Sequence, residues 1–324
     1  MSEQKKTAAS IVIERFLKEV DKRGQMPWQR PYTCYNAFNY FTKQPYRGIN
    51  RIMLEFGEYI TANQINQYNK EHGEDFRFQK GIEWFPVVFF KEDKKSCTID
   101  EVAEKVPDAD LNSDGYLGHE GYWTYWRENG EFCKKRQILR YTDVADRKWF
   151  KNSKGEMLPS RIDTGEVEIT LSQPQKVFND YVQRSGIKVD TESLGIPCYI
   201  PMLDTVELNK HTKSQETWFS TAFHEFAHST GAEHRLNRVG IAGARLKKDE
   251  STYAVEECIA EITACLCCAE CGIHDFETSG TMDCDNNIAY VQGWKKRIKD
   301  FDKEFIYICS QADKAFNYIM GMEI

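Results

Sequence analysis

Two histidines four residues apart, with a glutamate directly after the first, form the segment His224-Glu225-Phe-Ala-His228. On a helix of about 3.6 residues per turn, positions i and i+4 project from one face, roughly one turn apart. Two imidazoles so placed can hold Zn2+ through nitrogens at ~2.0–2.1 Å. Glu225 is then placed to act as general base toward water whose pKa the metal draws down toward ~7, giving hydroxide for attack on a carbonyl. The flanks predict the helix itself. Trp218, Phe219, Ala222, Phe223, Phe226 and Ala227 recur at helical spacing, and Gly231 is expected to stop the helix in a left-handed conformation.

A catalytic zinc site needs a third protein ligand and an open fourth position. Two residues compete for the role. His224 to His234 fits the spacing HExxHxxGxxH, in which Gly231 turns the chain and His234 completes the site. Glu257 lies 29 residues past His228, on a segment from Tyr253 to Cys271 that reads as one helix ended by Gly272. There Glu257 and Glu261 stand one turn apart among Ala, Ile, Leu and Cys, a face on which carboxylates are unfavourable unless paired or metal-bound. Glu257 would bind the metal while Glu261 accepts a hydrogen bond from a ligating imidazole and orients it. On the residues alone both third ligands stay open.

Positioning these groups takes two domains, for which 324 residues suffice. Residues 1–151 are expected to form the first, and 152–173, polar with Gly and Pro, to be a linker. Residues 174–324 form the second. A helix is predicted over 1–23, with Ile11, Val12, Phe16, Leu17 and Val20 on one face, and another at 61–71. Strands are predicted at 84–91, 121–127 and 136–141, with an acidic insertion at 92–120. A helix at 174–185, short strands near 197–208 and predominantly helix thereafter complete an α+β pattern.

The 11 cysteines are odd in number and sit mostly in apolar patterns, so a disulfide framework is not expected and a reducing cytoplasm is. Cys268-Ala-Glu-Cys271 has no second CxxC nearby; with Cys258, Cys265 and Cys267 it reads as packing. The first 25 residues lack the apolar core of a secretory signal, and no window is long enough to span a membrane. Asp110-Leu-Asn112-Ser-Asp114-Gly115 resembles the start of a calcium loop, but the bidentate glutamate it would need is absent, so a solvated acidic loop is expected.

The net charge of −7 is unevenly spread. Residues 1–151 carry 25 Lys+Arg and 23 Asp+Glu, against 18 and 27 in residues 152–324. Residues 28–47 hold Trp28, Tyr32, Tyr35, Phe38, Tyr40, Phe41 and Tyr46, with Arg30, Lys43, Arg47 and Arg51 nearby. Exposed rings stack bases without regard to sequence, and arginines neutralise phosphates. Two or three exposed rings would suffice for single-stranded DNA, and the others would be core.

The whole chain resembles the ArdC antirestriction family and its metallopeptidase-containing relatives. At the front the resemblance rests on Met26-Pro-Trp28-Gln-Arg30-Pro31, on Asn36 or Asn39, on Pro45-Tyr46-Arg47-Gly48-Ile49-Asn50 and on Lys80-Gly81. Later it rests on Cys198-Tyr-Ile-Pro201, His224–His228, Arg235-Leu-Asn-Arg238, Glu256-Glu257, Ala260-Glu261 and Ala289-Tyr290 with Trp294. It implies an N-terminal domain binding single-stranded DNA, with contacts expected at Trp28, Arg30, Tyr46, Arg47, Asn50 and Arg51. It also implies a C-terminal zincin-like metallopeptidase domain and favours Glu257 over His234 as third ligand. The expected protein is therefore an antirestriction-type zinc metallopeptidase carried by a mobile element, its protein substrate and oligomeric state unspecified. Two rivals are a DNA-binding shield whose zinc is only structural, and a zinc peptidase with no DNA role.

Overall fold

The computed structural model describes residues 6–23, 37–162, 173–211, 214–242, 250–273, 293–296 and 300–322. The architecture is mixed α+β, with sheet in the first half and mostly helix toward the end. Two compact units share the chain: Pro86–Thr142 with residues up to Ala8, and Ala9–Phe85 with Asp143–Ile324.

The larger unit opens with α1 (Ala8–Arg23), which buries Val12, Phe16 and Val20 of its predicted face, and Ile13 beside them. Strand β1 (Ala37–Asn39) pairs in parallel with β2 (Gly57–Ile60), and the short helix α2 (Ile49–Met53) lies between them in sequence. Helix α3 (Ala62–His72) starts where Thr61 and Gln64 each accept the other's backbone N–H, and it ends at left-handed Gly73. Strand β3 (Arg77–Phe78) follows. Tyr40, Ile60, Ile65, Tyr68, Phe76, Ala145, Phe150 and Leu158 form one core cluster here. Tyr40, one of the seven rings of the basic segment, is therefore core. Leu158 comes from the polar stretch expected to be a linker and is fully buried.

The smaller unit contains most of β4 (Phe85–Ser96), then α4 (Ile99–Lys105), β5 (Gly115–Glu120), β6 (Trp123–Glu128) and most of β7 (Glu131–Asp146). Strands β5, β6 and β7 form an antiparallel meander. Asn129 and Gly130, both at positive φ, make the two-residue turn that starts β7 five residues before the predicted strand. The acidic insertion is folded: Thr98 caps α4, and Val102, Leu117 and Tyr125 pack together. Two carboxylates of its loop are engaged within the protein. Asp110 accepts from the Asn112 N–H and the Ser113 hydroxyl, Asp114 accepts from the Gly130 N–H, and Arg127 donates to the Asn112 carbonyl.

Back in the larger unit, β8 (Phe150–Lys151) pairs with β3, and α5 (Pro174–Ser185) occupies its predicted span. Strands β9 (Lys188–Ser193), β10 (Cys198–Ile200) and β11 (Thr205–Asn209) form a small sheet in the order β10-β11-β9. Helices α6 (Gln215–Thr230), α7 (Val239–Ala242), α8 (Glu250–Glu270) and α9 (Phe301–Met320) complete it. Phe16 of α1 packs on Phe305 of α9 with ring centroids 4.9 Å apart. Among the described residues, no helix is long and apolar enough to cross a membrane.

The Gly48–Arg51 segment is anchored on α9. The Gly48 N–H donates to Asp313 Oδ2 at 3.1 Å, and Arg51 Nη1 donates to Asp313 Oδ1 at 2.8 Å and to Asn317 Oδ1 at 3.0 Å. The Arg51 guanidinium lies 4.8 Å from the Phe316 ring centroid. Gly48 has a φ of 58°, and a Cβ there would sit 3.3 Å from the Ser310 backbone. The Arg51 and Asp313 side chains are 7% and 4% exposed. Removing one partner of such a pair strands a buried charge. Asp313→Ala is therefore expected to lower stability by ~3–5 kcal/mol in a denaturant melt, and a loss under ~1 kcal/mol would show that the pair does not brace the fold.

Candidate metal centre

Helix α6 starts at Ser214, whose hydroxyl accepts the Thr217 N–H, and is buried from Phe219 to Thr230. Its neighbours make that burial possible: Tyr181 of α5 packs on Phe226 with ring centroids 4.5 Å apart and hydrogen-bonds Ser229 at 2.6 Å. Helix α8 packs along α6 on another side. The expected left-handed stop at Gly231 needs correction. Gly231 has a φ of −76° and continues right-handed. Glycine is required there for space, because a Cβ would lie 2.8 Å from Ile241 and 2.9 Å from Arg238 Nη2.

The Nε2 atoms of His224 and His228 stand 3.2 Å apart. Glu257, on α8, brings Oε2 to 3.6 Å from His224 Nε2 and Oε1 to 3.6 Å from His228 Nε2. Donors at ~2.0–2.1 Å from a common tetrahedral ion are ~3.3–3.4 Å from one another, so this spacing fits a metal. Among the described residues, these three form the one group of His, Cys, Asp or Glu converging in this way.

Each imidazole also has a carboxylate behind it. Glu261 Oε2 is 3.4 Å from His224 Nδ1, and Glu256 Oε1 is 3.4 Å from His228 Nδ1. Glu225 is buried between the two histidines in sequence, and its charge acts on His224, Tyr253 and Cys198. Burial alone would lower the His224 pKa, but Glu257 and Glu261 outweigh it and hold the pKa at about 10. Burial would raise the Glu257 pKa, but the two histidines outweigh that and hold it near 2. Each shift arises because the imidazoles and carboxylates face one another in a buried site.

His234 is placed elsewhere. Its side chain is 60% exposed and lies 3.4 Å from Asp204, whose carboxylate is gripped by Arg235 at 2.8 and 2.7 Å. Cys258, Cys265, Cys267, Cys268 and Cys271 are all buried, and burial pushes the Cys271 thiol up to about 12, as suits neutral packing.

The nucleic-acid candidates scatter. Trp28 and Arg30, with Tyr32, Tyr35 and Asn36, lie outside the described residues, as do Ala289 and Tyr290. Arg47 is exposed, Asn50 is half-buried, and Tyr46 packs edge-on against Tyr59. Arg51, expected on a nucleic-acid surface, instead has its side chain buried against Asp313, a partner 262 residues away in sequence. Sequence reasoning also gave no role to Glu256 or Arg238, which the fold places directly behind His228. The adjacent pair Glu256-Glu257 on an apolar helix was the available signal.

A buried helix carrying two histidines, with a glutamate supplied by a second helix, is the arrangement of a zincin-like metallopeptidase. Residues 176–312 match the zincin-like metallopeptidase profile, and residues 3–113 match the N-terminal domain of anti-restriction factor ArdC. The chain thus joins an ArdC-type N-terminal domain to a zincin-like metallopeptidase domain.

Two Escherichia coli proteins named DNA primase TraC are 24% and 23% identical to it over 333 and 336 residues. These alignments cover 99% and 100% of this chain but 20% and 28% of the relatives, so it spans less than a third of their length. Crystal structures of antirestriction ArdC from plasmid R388, metal-free and Mn(II)-bound, share the fold with TM-scores of 0.58 and 0.57 at 21% identity. The metal-free match covers 98% of this chain and 99% of that one, and the Mn(II)-bound match covers 97% of each.

Proposed function

We propose that this protein is an antirestriction-type metallopeptidase that binds single-stranded DNA, with residues 1–151 as the DNA-binding part and residues 174–324 as the catalytic part. The observation that carries the catalytic half is the convergence of His224, His228 and Glu257, whose donor atoms lie within 4.8 Å of one another. Two imidazoles and one carboxylate suit Zn2+, and zinc is the ion assigned here; R388 ArdC has been seen with Mn(II). A divalent ion in this position supplies a Lewis acid for a peptide carbonyl and acidifies water. Glu225 takes the proton from the attacking water and passes it to the leaving nitrogen. Glu261, 3.4 Å from the far nitrogen of His224, would orient that ring with its near nitrogen toward the ion.

The DNA-binding half rests on the ArdC N-terminal match, on the likeness to proteins named for a primase, and on the exposed Arg47. Its contacts are assigned to Trp28, Arg30, Tyr46, Arg47 and Asn50, while the commitment of Arg51 to Asp313 leaves it little capacity for phosphate. The protein functions in the cytoplasm of a cell carrying the mobile element.

One preparation tests both halves. Chelated protein should fail to cleave an unfolded protein substrate, and restored zinc should return cleavage and raise the melting temperature. The same protein should shift single-stranded DNA in preference to duplex, with affinity falling steeply as salt rises. Cleavage unaffected by chelation would overturn the catalytic reading, and equal, salt-insensitive binding to both DNA forms would overturn the other.

A further inference from the structure

The loop after α6 folds back on itself. The Leu236 N–H donates to the Thr230 carbonyl, the Asn237 N–H to Ala232 and the Arg238 N–H to Gly231, with Asn237 at a φ of 49°. This return carries Arg238 into the interior, where its side chain is 1% exposed. Nη2 donates to the Ala227 carbonyl at 2.7 Å and to Glu256 Oε1 at 2.5 Å. Nε donates to Glu256 Oε2 at 3.0 Å, and Nη1 to the Thr230 hydroxyl at 2.7 Å. Glu256, 4% exposed, is thus held by a two-pronged grip, and its Oε1 faces His228 Nδ1 at 3.4 Å. Two glycines clear the space: a Cβ on Gly231 would meet Arg238 Nη2 at 2.9 Å, and one on Gly240 would meet Glu256 Oε2 at 3.2 Å.

We propose that Arg238 and Glu256 are positioning residues for the metal centre: Arg238 fixes Glu256, and Glu256 fixes the His228 ring with Nε2 toward the ion. The inference rests on the metal-site reading above and goes beyond it, since neither residue touches the metal position. Consecutive residues of α8 then do two different jobs. About 100° of helical rotation separates Glu256 from Glu257, placing one behind His228 and the other in front of it. The grip also explains an asymmetry. Glu261 behind His224 has no arginine or lysine among its described contacts, whereas Glu256 is locked by a guanidinium that also holds the last turn of α6. Of the two ligating rings, His228 is the one nearer the end of α6, and it is the one whose facing carboxylate is itself held by a guanidinium.

A purely structural pair would affect folding but not metal affinity, so both are measured. In Arg238→Met/Glu256→Leu the ion pair is replaced by apolar side chains, a change that is often neutral or stabilising for folding. Zinc affinity of the full chain is read by competition with a chromophoric chelator, alongside the melting temperature of the metal-free protein. The expected result is a metal-free melting temperature at or above wild type with zinc bound ~10–100-fold more weakly. Glu256→Gln, which keeps an acceptor oxygen, should fall between the two. Tight wild-type binding left unchanged in the double variant overturns the inference alone. Absence of zinc binding by wild type overturns the metal reading and this inference with it. If the double variant does not fold, wild-type affinity in Glu256→Gln overturns the inference, and weakened affinity supports it.

Discussion

Glu225→Gln is expected to keep the protein folded and metal-loaded while slowing hydrolysis of a peptide bond by ~10²–10⁴-fold, the usual contribution of a positioned general base. The substitution is nearly isosteric, and Glu225 is not among the three residues that converge on the metal position. It replaces an acceptor that can take a proton with an amide that cannot. The loss should fall on kcat, since proton transfer belongs to the reacting state and not to substrate binding. A variant as fast as wild type would remove Glu225 from the mechanism. If antirestriction survived along with lost hydrolysis, the protein would act as a DNA-bound shield rather than as a peptidase.

Metal content separates the competing third ligands with comparable force. Wild type should hold about one zinc per chain after dialysis, Glu257→Ala and His228→Ala should hold essentially none, and His234→Ala should match wild type. The reasoning is geometric. Glu257 brings one carboxylate oxygen to 3.6 Å from each Nε2, whereas His234 sits on the surface beside Asp204. Full zinc in Glu257→Ala with loss in His234→Ala would reverse the assignment. Equal zinc in all four would mean that this cluster is not where the metal binds.

The parts of this site carried by local periodicity were legible in the residues. Helix α6 and its two histidines follow from apolar spacing, and α8 is read almost to its ends because Gly272 terminates it at a φ of 69°. The choice of Glu257 was not settled by spacing, since a turn at Gly231 could in principle have brought His234 around. Glycine there turned out to serve a clearance and not a handedness, a difference no single residue type encodes. Arg238 and Arg51 were opaque for a common reason. An arginine reads as a surface cation until its carboxylate is located, and those carboxylates lie 18 and 262 residues away. The insertion at 92–120 was read as acidic and correctly so, but its apolar residues, Val102, Val106, Leu111 and Leu117 among them, follow no single period that would announce a small core with Tyr125.

The clasp between Gly48, Arg51 and Asp313 bears on how such a gene can be cut and rejoined. A fragment holding only the later helices would carry Asp313 with neither the guanidinium nor the backbone N–H that now satisfy it. A fragment ending before α9 would leave Arg51 in the same position. Recombination that separates the front signature from the last helix would thus yield two partners each missing a counter-charge. Whatever divides the labour between DNA and peptide, these stretches are expected to be inherited together.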